Sequence, residues 1–160
     1  MMKQVVVDPS FWALFPDAQV NILYANGIDN HDDQAQLADR KQLLKDATTA
    51  AGQFLTNDTF RLNPVVDQWR TAFQQFKKKK GARSSIEALL KRVNQGRKFD
   101  PINPLVDIYN SVSLTYGVPV GIEDRDKITG DMHLGQVSGG QSFQPVGAAA
   151  DEPTLPGEVA

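Results

Sequence analysis

The sequence predicts an α+β fold, and three observations carry that expectation. Helical periodicity fills the first two-thirds of the chain. The last third switches to short apolar or alternating runs. A Ser138-Gly139-Gly140 turn then joins two of those runs as a hairpin. Helices and strands segregated in this way argue for α+β rather than an alternating α/β order. At 160 residues the chain is about one domain long and large enough for a proper core, so residues 1–160 are read as a single domain.

Taken in order, Gln4–Val7 is a short strand candidate. Asp8-Pro9 reads as an N-cap followed by proline in the first helical turn, leading a short helix through Phe11, Trp12 and Phe15 that Pro16 ends. Val20, Ile22 and Tyr24 alternate with polar residues as a strand would, and Asn26-Gly27 supplies a turn. Leu37, Leu44, Ala47, Ala51 and Leu55 fall on one helical face. Asn63-Pro64 opens a helix whose buried face is Val65, Val66, Trp69, Phe73 and Phe76. Ser84 and Glu87 match a capping box, in which each side chain reaches an unpaired N–H of the first turn; Ile86, Leu89, Leu90 and Val93 follow as an apolar stripe, closed by Gly96. Asn103-Pro104 repeats the opening, with Leu105, Val106, Tyr109, Val112 and Tyr116 on one face and Gly117 as a left-handed cap. Val118–Ile122, Met132–Val137 and Ser142–Val146 read as strands, the last two paired as a hairpin; Asp151–Ala160 reads as a loop.

Composition is that of a soluble globular protein: 41% hydrophobic, 22% charged, with 12 Gly and 9 Pro. There is no Cys, which excludes a disulfide framework and thiolate chemistry. No apolar run approaches the length that crosses a bilayer, and the N-terminal stretch is too soon broken for a signal peptide. These absences point to the cytoplasm and to no membrane partner.

Charge placement is the strongest physical signal. Residues 77–98 hold nine basic residues, Lys77, Lys78, Lys79, Lys80, Arg83, Lys91, Arg92, Arg97 and Lys98, against Glu87 alone. That window is +8, and the total of −2 leaves the remainder at −10. Cations gathered this way attract a phosphate backbone and gain by releasing its counterions. Ser84 and Ser85 add backbone N–H groups at a helix start beside the lysines, a suitable phosphate seat. The competing reading is a solvated basic loop. Of the aromatic residues flanking the window, Phe76 reads as core and Phe99 stays open as core or base-stacking surface.

Other chemistry is thinly represented. Asp29, His31, Asp32 and Asp33 are read as a solvated helix start ahead of a cation site, because acids favour the positive end of the helix dipole. Neither a nucleophile elbow, a zinc-binding H-E-x-x-H helix nor a phosphate-cradling glycine loop is present. No cofactor or metal is expected. Glu123, Asp124 and Asp126 form either an acid/base pair or, as favoured here, a turn capped by Asp124 and released by Gly130.

The ordered set Asn103, Val106, Asn110, Gly117, Pro119, Asp124, Asp126, Lys127, Ile128 and Gly130, followed by the Met132–Val146 segment, resembles the editing module of the phenylalanyl-tRNA synthetase beta subunit. Ser85–Leu90 and Pro156–Val159 are similar to its stand-alone relatives, so the resemblance spans roughly residues 64–160. It implies a β-rich core with helices packed on one side. It implies tRNA or aminoacyl-tRNA as partner, with hydrolysis of misacylated tRNA in trans as the activity if the protein is an enzyme. The alternative is a non-catalytic module that binds RNA or an amino acid. The resemblance places a pocket at Pro119, Gly121, Glu123 and Asp124. Gly121 stands where the synthetases carry a histidine, and no catalytic residue is carried over. The relatives continue with further strands beyond the position of Ala160, so the expectation includes an exposed C-terminal strand edge and a homodimer formed through it.

Overall fold

The computed structural model describes residues 3–160. Regular structure among them runs β1 (Val5–Val7), α1 (Pro9–Leu14), α2 (Leu37–Ala51), α3 (Pro64–Ala72), α4 (Ser85–Asn94), α5 (Pro104–Tyr116) and β2 (Met132–Leu134), with three short 3-10 turns at Gln34–Gln36, Gly52–Phe54 and Phe60–Leu62. No helix among the described residues is long and apolar enough to cross a membrane. The chain divides into two compact units. One comprises Ala25–Thr71 with Arg83–Ile122; the other comprises the described residues up to Tyr24 with Ala72–Ala82 and Glu123–Ala160.

The first unit is helical and holds the buried apolar cluster: Ala47 and Ala51 of α2, Val66 of α3, Ile86 and Leu90 of α4, and Leu114 of α5. Each large member contributes roughly 1.5–3 kcal/mol by leaving water. The sequence stripes of α2 and α4 turn inward, as do Val65, Val66 and Trp69 of α3; but α3 ends at Ala72, and Phe73 and Phe76, expected on its buried face, lie beyond it in the other unit. The start signals also hold. Ser84 Oγ accepts the N–H of Glu87, and Asn103 Oδ1 accepts the N–H of Val106 at 3.0 Å. The capping box at Ser84 is nevertheless half-made. The Glu87 carboxylate does not return to its own helix start but accepts from Arg70 of α3, at 2.7 and 3.0 Å.

The phase of α5 differs from the sequence reading. Its buried residues are Asp107, Ser111, Ser113 and Leu114. Val106 and Tyr109 are half-buried, Val112 is 37% exposed and Tyr116 is 69% exposed. The reason lies on α2, the main packing partner of α5. Arg40 is buried there, and its guanidinium requires an acid, which Asp107 supplies at 2.8 Å. That pairing rotates a polar strip inward and leaves part of the apolar stripe outside.

The second unit is built on a small sheet. β1 and β2 pair in parallel, Val5 to Met132 and Val7 to Leu134. The chain then passes straight on from β2. Gly135 and Val137 exchange backbone hydrogen bonds with Ala160, Glu158 and Gly157 at 2.8–3.0 Å. On its other side, Gly157 accepts from the N–H of Lys77 at 3.2 Å. Phe11, Phe15, Phe73 and Phe76 form an aromatic cluster in the same unit, with centroids 5.2–6.3 Å apart.

The β-rich core expected from the resemblance is therefore not what the structure holds: among the described residues two three-residue strands form, and every buried hydrophobic residue lies on a helix. Val20–Tyr24, Val118–Ile122 and Ser142–Val146 form no strand. Tyr24 contributes its hydroxyl, not its backbone, to the N–H of Val5. The Met132–Val137 run pairs with the C-terminal segment instead of with residues 142–146. Gly139 makes this possible, because at φ 88° a Cβ there would sit 2.6 Å from the backbone nitrogen of Pro156. The residues expected as a loop with an open edge are thus hydrogen-bonded on both sides at Gly157–Glu158.

Candidate nucleic-acid interface

The basic window crosses from one unit to the other between Ala82 and Arg83. The linear contrast of +8 against −10 does not survive as a contrast between units. The sheet unit carries seven basic and nine acidic residues, and the helical unit ten of each. What matters is which cations remain available, and the two halves of the window differ in this.

In the sheet unit the lysine run is partly structural. Lys78 donates its ammonium to the carbonyl of Phe73, beyond the end of α3. Cations are stabilising at that end of a helix, where carbonyls lack partners. Lys79 donates to the carbonyl of Glu152, lies 3.7 Å from that residue's carboxylate and stands 5.5 Å above the Phe143 ring. It ties the C-terminal segment down. Lys77 and Lys80 have exposed side chains, the second beside the turn at Gly81.

In the helical unit, Arg83 and Ser85 are exposed, while Ser84 is buried as the α4 cap. The phosphate seat expected at this helix start is occupied in part by the chain itself: Ser84 takes one N–H, and the buried Glu87 places a carboxylate in the first turn. Arg70 balances that carboxylate, and the hydrogen bond to Glu87 raises the guanidinium pKa above its ordinary value against the opposing effect of burial.

The other end of α4 is different. Lys91, Arg92, Arg97 and Lys98 are all exposed there. After Gln95 the chain folds back, with the N–H of Arg97 on the carbonyl of Arg92 at 3.0 Å. Arg92 Nη2 donates to the carbonyl of Lys98 at 3.1 Å, and its guanidinium carbon lies 4.6 Å from the centroid of Phe99. Phe99 is half-buried against the helical core, which fixes the ring beneath the guanidinium. Lys91 and Arg92 thus stand in the last turn of α4, at the negative end of its dipole, Arg97 and Lys98 follow in the fold-back, and Arg92 lies over Phe99. Sequence spacing named these four residues and left Phe99 open; the fold-back that joins them depends on Arg92 reaching Lys98 and was not legible.

The pocket residues are distributed differently. Pro119 and Gly121 belong to the helical unit, Glu123 and Asp124 to the sheet unit. Gly121 is exposed, and a Cβ built on it meets no atom within 4 Å. Asp124 makes the turn assigned to it: its carboxylate accepts the N–H of Asp126 at 2.9 Å, and its carbonyl that of Lys127 at 3.0 Å. Each acid near His31 is likewise turned to a local partner, Asp29 to the His31 N–H, Asp33 to Ala35 and Asp32 to Arg40.

No curated protein and no solved structure matches the chain. A family model, described as the B3/4 domain, matches residues 68–159. That stretch is more than half the chain, and it contains Ser84, the α4 cations, Asn103, Gly117, Asp124 and the Gly157–Val159 segment. The chain belongs to the B3/4 domain family, the domain of the editing module of the phenylalanyl-tRNA synthetase beta subunit.

Proposed function

We propose that the protein binds tRNA or aminoacyl-tRNA in the cytoplasm. The observation that carries this reading is the exposed cation cluster Lys91, Arg92, Arg97 and Lys98, set within a B3/4 domain. Exposed Lys77, Lys80 and Arg83 supply further positive charge. Guanidinium and ammonium groups on one exposed helix end suit a phosphate backbone, because each phosphate contacted releases a condensed counterion. The test is tRNA binding as a function of salt. With about five phosphates contacted, the log–log slope is on the order of −4. Binding that ignores salt, or no binding at low salt, would end this reading.

Deacylation of misacylated tRNA in trans is the second reading, favoured by the family's place in an editing module. Gly121 is the residue to probe. A tryptophan there has open space around its Cβ, so Gly121→Trp leaves folding intact and lowers deacylation if Pro119 and Gly121 line the amino-acid site. Deacylation assayed over a panel of mischarged tRNAs separates this activity from binding alone.

A further inference from the structure

We infer that Arg92, set over the ring of Phe99, is a stacking platform for an unpaired nucleotide base, with Lys91, Arg97 and Lys98 taking the adjoining phosphates. This rests on the RNA-binding reading above and narrows it to unpaired RNA. Three features of the site carry it.

The guanidinium is constrained rather than free. Its Nη2 is tied to the Lys98 carbonyl at 3.1 Å, and its central carbon lies over the Phe99 ring, 4.6 Å from the centroid. The ring is in turn packed against the helical core. A long side chain normally loses rotamer freedom when it binds, but most of that loss has been met here by intramolecular contacts. Arg92 is nonetheless exposed. A planar cation set over an aromatic ring and exposed to water is a surface on which a base can stack.

The surroundings suit a single strand. Lys91, Arg97 and Lys98 are exposed neighbours in sequence of the platform residues, and the Arg97 N–H on the Arg92 carbonyl brings the fold-back loop to the helix end. Bases of a duplex are stacked on one another and present no free face, whereas loops and ends do. A charge cluster alone would serve either form; the platform selects the unpaired one.

The lysine run, the other half of the basic window, lacks these features. Lys78 and Lys79 are committed to the carbonyls of Phe73 and Glu152. The ring near Lys79, Phe143, lies under an ammonium, which presents no plane.

Fluorescence anisotropy at fixed salt, with a ten-nucleotide single-stranded RNA and an RNA duplex of equal length, tests the inference on the full chain. Wild type binds the single strand more tightly. Arg92→Lys keeps the charge and removes the plane; it weakens single-strand binding about tenfold, changes duplex binding less than twofold and leaves the salt slope unchanged. Arg92→Gln keeps a planar group without charge and retains part of the single-strand preference, while the salt slope falls by about one. A single strand carrying 2-aminopurine reports stacking directly, by quenching that wild type shows and Arg92→Lys loses. Equal losses on single strand and duplex in Arg92→Lys, or no loss on either, overturn the platform while RNA binding stands. A wild-type protein that binds neither short RNA overturns the platform, and one that also fails to bind tRNA at low salt overturns the RNA-binding reading itself. Thermal melting of each variant confirms that an exposed substitution has left the fold in place.

Discussion

Arg40 of α2 and Asp107 of α5 form an ion pair in which the side chains are 7% and 1% exposed, with Nη1 and Oδ2 at 2.8 Å. Asp107 also accepts the N–H of Ile102 through its other oxygen at 2.9 Å, and Arg40 reaches the half-exposed Asp32 as well. One buried acid thus serves a cation and an orphan N–H just ahead of its own helix. Removing it leaves the N–H without that partner and the buried Arg40 with only the half-exposed Asp32. Asp107→Ala should cost about 3–5 kcal/mol, and Asp107→Asn less, since the amide keeps the Ile102 bond. The double change Arg40→Met with Asp107→Leu should recover most of the loss, because it removes both desolvated charges together. Urea unfolding of the three variants checks the order.

Arg70 and Glu87 make the opposite kind of pair. Glu87 is buried, at 7% side-chain exposure, while Arg70 is 40% exposed. Arg70→Ala strands a carboxylate out of water, whereas Glu87→Gln leaves a guanidinium that can hydrate. Arg70→Ala should therefore be the more damaging, at about 1.5–3 kcal/mol. The pair adds no pH dependence from Arg70 in the usual range. A raised folded-state pKa gives stabilisation that is complete below the unfolded value and lost only as pH rises through the folded one, beyond ordinary alkaline conditions. Chemical denaturation of both variants at pH 6 and pH 8 should show the same ranking.

Gly117 ends α5 at φ 69°, and a Cβ there would lie 2.9 Å from two carbons of the Phe54 ring. Gly117→Ala should cost about 1–2 kcal/mol from the left-handed backbone alone, with a further loss from displacing the ring. Gly117→Val should be worse, because a branched residue resists a positive φ. Pairing Gly117→Ala with Phe54→Leu should relieve the contact but not the backbone strain. Thermal melts of the single and double variants separate the two contributions.

Of the N-cap residues Asp8, Ser84 and Asn103, only the last two cap their α-helix through the side chain. Ser84 and Asn103 accept from the third helical N–H of α4 and α5, so Ser84→Ala and Asn103→Ala should each cost about 1 kcal/mol. Asp8 makes no side-chain bond to α1 and pairs with His133 Nδ1 at 2.9 Å instead. Asp8→Ala should lose stability only through that partner, so a His133→Ala background should remove most of its effect. A double-mutant cycle measures this coupling.

The helix starts at Ser84 and Asn103, the cap at Gly117 and the turn at Asp124 were legible because each signal is complete within three or four residues. The basic cluster was legible for the same reason: charge is written in composition. The sequence also determined the family, through an ordered set of short motifs. The tertiary structure alone decided which face of α5 is buried, since that depends on Arg40, which lies 67 residues earlier in the chain. It decided that Glu87 serves Arg70 and not its own helix. It decided that the run after β2 pairs with residues 157–160, because a strand needs a partner edge and alternation cannot say which edge arrives. It also separated the two halves of the basic window. Lys78 and Lys79 are identical in type to their neighbours, but the carbonyls of Phe73 and Glu152 and one ring hold them, while Arg92 lies over a phenylalanine whose position only the packed core could fix.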